Sequence, residues 1–231
     1  MRMNVYDVAA LLPEIPVLRD RCRALAMIEA IVSPEWEFRY YSFDAGWSPD
    51  EEMASMRNGS GDEYSIVFGP PGVFICGLDH ESPMSPAING GLWPGLIDTV
   101  PAVFEAQVRE PAFSNDGQLD ATFVLWRQTS DDGWRTGVIE FPPYGEHRTS
   151  PDGAQMLAIL GDPSPDTYLA FATDYYETTL DAAAVAHVWA LRPLDDAVVA
   201  ALNPDLTLTD VQQDCDEIGY PSAQPPDVRQ D

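Results

Sequence analysis

Two turn signals constrain this chain more than any other feature: Asn58-Gly59-Ser60-Gly61 and Pro70-Pro71-Gly72. Asn and Gly tolerate positive φ, and Pro followed by Gly suits the central positions of a tight turn. Short runs with strand periodicity lie on either side of them. Glu52 to Arg57 precedes the first turn. Asp62, Tyr64, Ile66 and Phe68 then share one face of the next run, and Val73 to Leu78 is apolar on both faces apart from Gly77, as expected of a central strand. Upstream, Trp36, Phe38 and Tyr40 alternate with Glu37, Arg39 and Tyr41, which predicts a half-buried first strand. Gly46 to Asp50 reads as the turn after it, with Trp47 either a plug or an exposed binding aromatic. The stretch from Trp36 to Pro86 is therefore expected to be an antiparallel meander.

The flanks read as helices with one further hairpin. Asn4 to Leu12 predicts a short helix closed by Pro13. Pro16 then suits the first turn of a second helix, in which Leu18, Cys22, Leu25, Ile28 or Glu29, and Val32 form a stripe to about Ile31 before Ser33-Pro34 ends it. Val100, Val103, Phe104 and Val108 mark a helix, and Ala121 to Arg127 pairs with Trp134 to Phe141 across Thr129 to Gly133. Ser164-Pro165 opens a helix running to about Tyr176, with one of Tyr175 and Tyr176 buried and the other near the surface. Asp181 caps the next; Val198, Val199 and Leu202 mark another; Leu208, Val211, Cys215 and Ile218 mark the last, with Thr209 as its cap. The expected fold class is α+β: an antiparallel β-meander sheet with helices packed mainly on one face and a helical C-terminal third. Residues 1–220 are expected to be a single domain and 221–231 a disordered tail.

Charge narrows the function. All 12 cations are Arg, the chain has no Lys, and 38 carboxylates give a net charge of −26. A Walker A loop, a protein kinase and a Schiff-base or pyridoxal enzyme each need a Lys, so these classes are excluded. Nucleic acid and anionic membranes are disfavoured as partners, because scattered Arg among this many carboxylates gives no basic face. A basic protein partner is allowed, and the field would speed its encounter. Cys22, Cys76 and Cys215 form no CxxC pair, so neither a zinc site nor a disulfide framework is indicated, and free core thiols are expected. The first residues carry no signal pattern and no run approaches the length of a membrane span, which places the protein in the cytoplasm as an expectation.

The densest set of ionisable groups is Asp62, Glu63, Asp79, His80 and Glu81, a candidate for metal-assisted hydrolysis. If the strand through Leu78 continued, Asp79 and Glu81 would point to one face and His80 to the other. Asn58, Ser60 and Asp62 begin like a calcium loop, but Glu63 stands where that loop needs Gly and Gly69 where it needs Glu. His147 and His187 have no recognisable partners, and neither HExxH nor GxSxG occurs. No cofactor and no metal is expected. For a partner, Trp47 and Trp134 are the candidate aromatic anchors. The acidic pairs Asp131-Asp132 and Asp195-Asp196 and the cluster of Asp214, Asp216 and Glu217 read as solvated edges that would form the landing surface of a cationic partner.

The segments RYYSFDAGW, MASMRNGSGDEY, GLDHESPMSP, FATDYYE and EIGYP resemble an uncharacterised bacterial family of about this size, over roughly residues 30 to 221. Cys76-Gly77-Leu78 departs from the pattern of that family, and the resemblance carries no catalytic residues with it. The layout is also loosely similar to immunity proteins of the SMI1/KNR4 type, which implies an α+β domain that neutralises a toxin by binding it. The expected function is a cytosolic, non-enzymatic binding protein that antagonises a basic partner. The alternative is the metal-assisted hydrolase built on Asp62, Glu63, Asp79, His80 and Glu81.

Overall fold

The computed structural model describes residues 3–143 and 150–221. His147 and the expected tail beyond Pro221 therefore lie outside the described residues. The chain opens with α1 (Val5–Leu11), capped by Asn4, and α2 (Ile15–Val32), with Pro16 in its first turn. Four strands follow: β1 (Tyr41–Ser48), β2 (Glu51–Arg57), β3 (Glu63–Gly69) and β4 (Gly72–Leu78). A long connection then carries α3 (Pro86–Asn89), α4 (Glu105–Val108) and the small hairpin of β5 (Ser114–Asn115) and β6 (Gln118–Leu119). The sheet resumes with β7 (Phe123–Gln128) and β8 (Arg135–Thr136). Five helices complete the described chain: α5 (Ala158–Gly161), α6 (Asp166–Tyr175), α7 (Ala182–Trp189), α8 (Asp196–Leu202) and α9 (Gln212–Ile218).

The main sheet has six antiparallel strands in the order β1-β2-β3-β4-β7-β8, so the expected meander is present and β4 is interior. The fold is α+β. One face of the sheet carries Tyr41, Phe43, Ala54, Met56, Tyr64, Ile66, Phe68, Ile75 and Leu125, which are buried. α2 lies across this face. Its Arg23 and Arg19 stack on Phe43 and Phe68, at 5.3 and 5.4 Å, and both pair with Glu52. From Ala24 to Ile31 every residue of α2 is buried, because the helix is covered on its far side as well. Cys215 meets Met27 and Asn203 donates to the Ile31 carbonyl from the C-terminal helices. A helix apolar all round is a buried helix. The second face is covered by the 84–120 connection only in part, with Phe104 against Phe74 at 6.0 Å. The corner around Ser42, Ser55 and Arg57 is left open.

Several boundaries differ from the sequence-based expectation. Trp36–Phe38 is a 3-10 turn and not a strand. Arg39 donates to the Ser33 and Pro34 carbonyls, and the Tyr40 N–H to Glu29, so this segment is tied to the end of α2 and the ladder begins only at Tyr41. β1 also runs through the expected turn at Gly46 and reverses at Pro49-Asp50, where Asp50 adopts φ 67° and Ser48 pairs with Glu51. β8 stops at Thr136 instead of reaching Phe141, because Tyr6 intercepts the following backbone: its hydroxyl donates to the Gly137 carbonyl and accepts from the Ile139 N–H. The expected helix near Val100 is a 3-10 turn at Ala102–Phe104 running into α4. Thr209 does not cap α9, which begins after Val211.

A candidate binding cleft at the open sheet corner

The feature that stands out is built around a carboxylate inside α2. Glu29 is fully buried. Its Oε1 accepts from the Tyr168 hydroxyl at 2.8 Å, and its Oε2 accepts from the Tyr176 hydroxyl at 2.6 Å and the Tyr40 N–H at 2.8 Å. Burial pushes the carboxyl above its ordinary range, and the two tyrosine hydroxyls and the backbone donors pull it back part of the way. Burial and then the Glu29 charge push the Tyr168 and Tyr176 phenols upward. One acid on α2 thereby ties the first residue before β1 to the end of α6.

Above that tie the aromatic side chains cluster. Tyr40 packs on Tyr41, Phe171 and Tyr175 with centroids 4.6 to 5.0 Å apart, and Tyr175 stacks on Phe171 at 5.3 Å. Edge-on and offset packing of this kind is favourable for aromatic quadrupoles. Beside them a cleft of about 340 Å³ is lined by Trp36, Phe38, Tyr40, Tyr175 and Tyr176, with Arg57 among its polar residues. Three of these rings face solvent: Trp36 is 57%, Phe38 61% and Tyr175 46% exposed. Arg39 also lines the cleft, but Asp214 and two carbonyls engage its guanidinium. Exposed large aromatics gathered around one cleft are the usual mark of a recognition surface.

The residues singled out from sequence fare differently. Asp62 and His80 do meet: His80 Nδ1 lies 2.7 Å from Asp62 Oδ1, which also accepts the His80 N–H. That hydrogen bond, ahead of any other cause, raises the imidazole pKa. Glu63, Asp79 and Glu81 are placed differently. β4 ends at Leu78, before the expected face alternation, and residues 79–82 turn back on themselves with the Ser82 N–H donating to the Asp79 carbonyl. Asp79 is turned inward against Gly153, His80 and Glu81 face out, and Glu63 lies toward Arg57. Among the described residues no group of three or more His, Cys, Asp or Glu side chains could hold a metal ion.

The candidate anchors also divide. Trp47 is half-buried and stacks on Phe113. Trp134 lies in the core: it is 8% exposed and its indole N–H donates to the Pro13 carbonyl. Asp131 accepts from the Gln128 N–H in the β7–β8 turn, and exposed Asp132 pairs with Arg135. Asp195 caps α8, while Asp196 accepts from the Leu208 N–H. Their first roles are local ones. His187 is half-buried, with Nε2 2.9 Å from the Pro193 carbonyl. All three cysteines are buried and free.

Fold and cleft together describe an α+β protein with an aromatic cleft at an open corner of its sheet. No helix among the described residues is long and apolar enough to cross a membrane. No family model, curated protein or solved structure matches this chain.

Proposed function

We propose that the protein is a non-catalytic binding protein that holds a basic protein partner through the aromatic cleft, in the manner of an immunity-type antagonist. The observation that carries this reading is the grouping of exposed Trp36, Phe38 and Tyr175 around one cleft on a chain of net charge −26. Aromatic anchors supply most of the affinity of such interfaces, and the acidic field supplies encounter rate and selectivity for cationic surfaces.

Selection of random peptides displayed on phage, against the full chain and against a W36A/F38A variant, tests this. Enriched peptides are expected to be rich in Arg and Lys, to lose at least about tenfold in affinity with the variant, and to weaken as salt rises from about 0.05 to about 0.5 M. An unfolding curve like that of the parent shows that the variant is folded. Failure to enrich, or peptides indifferent to both the variant and salt, would overturn the reading.

A further inference from the structure

The aromatic cleft has a neighbour. A second cleft of about 160 Å³ opens over the uncovered sheet face, and Trp36, Ser42, Ser55 and Arg57 line both. The shared floor is the serine pair itself, Ser42 and Ser55, opposite each other in the β1–β2 register with hydroxyls 2.7 Å apart. The far wall is Trp47 stacked on Phe113, with ring planes 13° apart. Three carboxylates complete the lining, those of Asp44, Glu63 and Glu217. Arg57 is the one cation there, 3.7 Å from Glu63 and largely exposed. Asp44 and Glu217 form no ion pair among the described residues, so the lining carries excess negative charge beside indole surfaces.

We infer that this second cleft is a subsite for an arginine side chain, carried by an extended segment whose apolar anchor fills the first cleft. This rests on the binding reading above and names the chemistry of the partner. A guanidinium is planar, lies flat on an indole face, and offers five N–H donors in a fork that suits carboxylates; an ammonium offers a strongly hydrated point charge instead. The dimensions favour an extended chain. Small-molecule sites run from about 300 to 1,000 Å³; the first cleft sits at the bottom of that range and the second below it, so each suits a single side chain. Side chains two residues apart on an extended strand are separated by about 7 Å, so one extended segment can place a side chain in each of two adjoining compartments that share Trp36, Ser42, Ser55 and Arg57.

The test uses the full ¹⁵N-labelled chain titrated separately with N-acetyl-arginine amide, N-acetyl-lysine amide and N-acetyl-norleucine amide. The arginine amide is expected to shift the Trp47 indole N–H with at least about threefold higher affinity than the lysine amide. The norleucine amide is expected to shift the Trp36 indole and leave Trp47 unmoved. A D44N/E217Q variant should weaken the arginine amide by about threefold or more and leave the norleucine response unchanged. Asp44 Oδ1 accepts from the Gly46 N–H at 2.7 Å, and D44N keeps an amide oxygen in that place, so the local turn is preserved. An arginine amide that leaves Trp47 unmoved, or that is indifferent to D44N/E217Q, overturns the subsite. Enrichment of peptides on phage alongside such a failure would sink the subsite alone. A Trp47 response lost in D44N/E217Q, with no peptide enriched, would support the subsite and sink the protein-partner reading.

Discussion

The Tyr176 hydroxyl donates to Glu29 Oε2 at 2.6 Å, across 147 residues of sequence. Tyr176 lines the aromatic cleft and Glu29 is fully buried, so this bond fixes a wall of the cleft to the middle of the core. Replacing Glu29 by Ala leaves the Tyr168 hydroxyl, the Tyr176 hydroxyl and the Tyr40 N–H without an acceptor and opens a cavity. The expected loss is about 3 kcal/mol or more. Gln at the same position keeps one oxygen and can donate to one tyrosine, so Glu29→Gln is expected to cost about 1 kcal/mol. Urea unfolding measures both. Equal costs for the two variants would show that the second carboxylate oxygen, which both variants lose, and not the filled volume is what Glu29 supplies.

Glu29 also sets a pH dependence. Burial holds its carboxyl above the ordinary value of 4.5 in the folded state. A raised pKa means that the folded state binds the proton more tightly than the unfolded state does. The resulting stabilisation is complete below the unfolded value and is lost as pH climbs from there through the folded value. Many exposed carboxylates titrate over the same range, so the quantity to measure is the difference in unfolding free energy between the parent and Glu29→Gln. That difference is expected to shift against the parent as pH rises from about 4 to about 7. A difference that stays flat would mean that Glu29 binds its proton equally well in the folded and unfolded states.

What could be read in the sequence follows the range of the interactions involved. The Asn58–Gly61 turn is legible because it is closed locally: Asn58 Oδ1 accepts from the Ser60 and Asp62 N–H groups, and Gly59 and Gly61 take positive φ. Asp181 is legible as a cap for the same reason, accepting from the Ala184 N–H three residues on. Trp36 to Tyr40 is misleading because its alternation is that of a strand, while its conformation is decided by bonds to Glu29 and to the end of α2. The cleft itself draws on the Trp36–Gly59 region and on Tyr175 and Tyr176, which no local pattern can bring together. One signal for it was present, a lone carboxylate in the otherwise apolar run from Ala24 to Ile31. A charge in that setting demands partners, and finding them leads to both tyrosines.

The Asp62–His80 pair gives an expectation independent of the cleft. Its hydrogen bond, ahead of the nearby carboxylate charges, lifts the imidazole above its ordinary value of 6.5. The pair's contribution to stability is therefore complete below the unfolded histidine value and fades as pH rises through the folded one. NMR titration of the His80 Cε1–H, assigned by comparison with His80→Gln, should give a midpoint above 6.5, and Asp62→Asn should bring it down. A midpoint at or below the ordinary value in the parent would show that the pair does not persist in solution.

Gly77 and Phe123 face each other across the β4–β7 pair, and there the sheet has no room for a side chain. A Cβ on Gly77 would stand 2.1 Å from Phe123 Cζ and 2.7 to 2.8 Å from two further ring atoms, and Phe123 is fully buried. The backbone of Gly77 is ordinary extended strand, so an alanine there meets a packing clash and no left-handed strain. Gly77→Ala is expected to cost about 2 to 3 kcal/mol by overpacking. The cause can be isolated by repeating the substitution in a Phe123→Leu background, where the ring is gone. There the added cost should fall below about 1 kcal/mol, giving a coupling of comparable size between the two sites. Urea midpoints for the parent, the two single variants and the double variant complete the cycle. An alanine that costs the same in both backgrounds would place the strain in the backbone of β4 and not in the contact with Phe123.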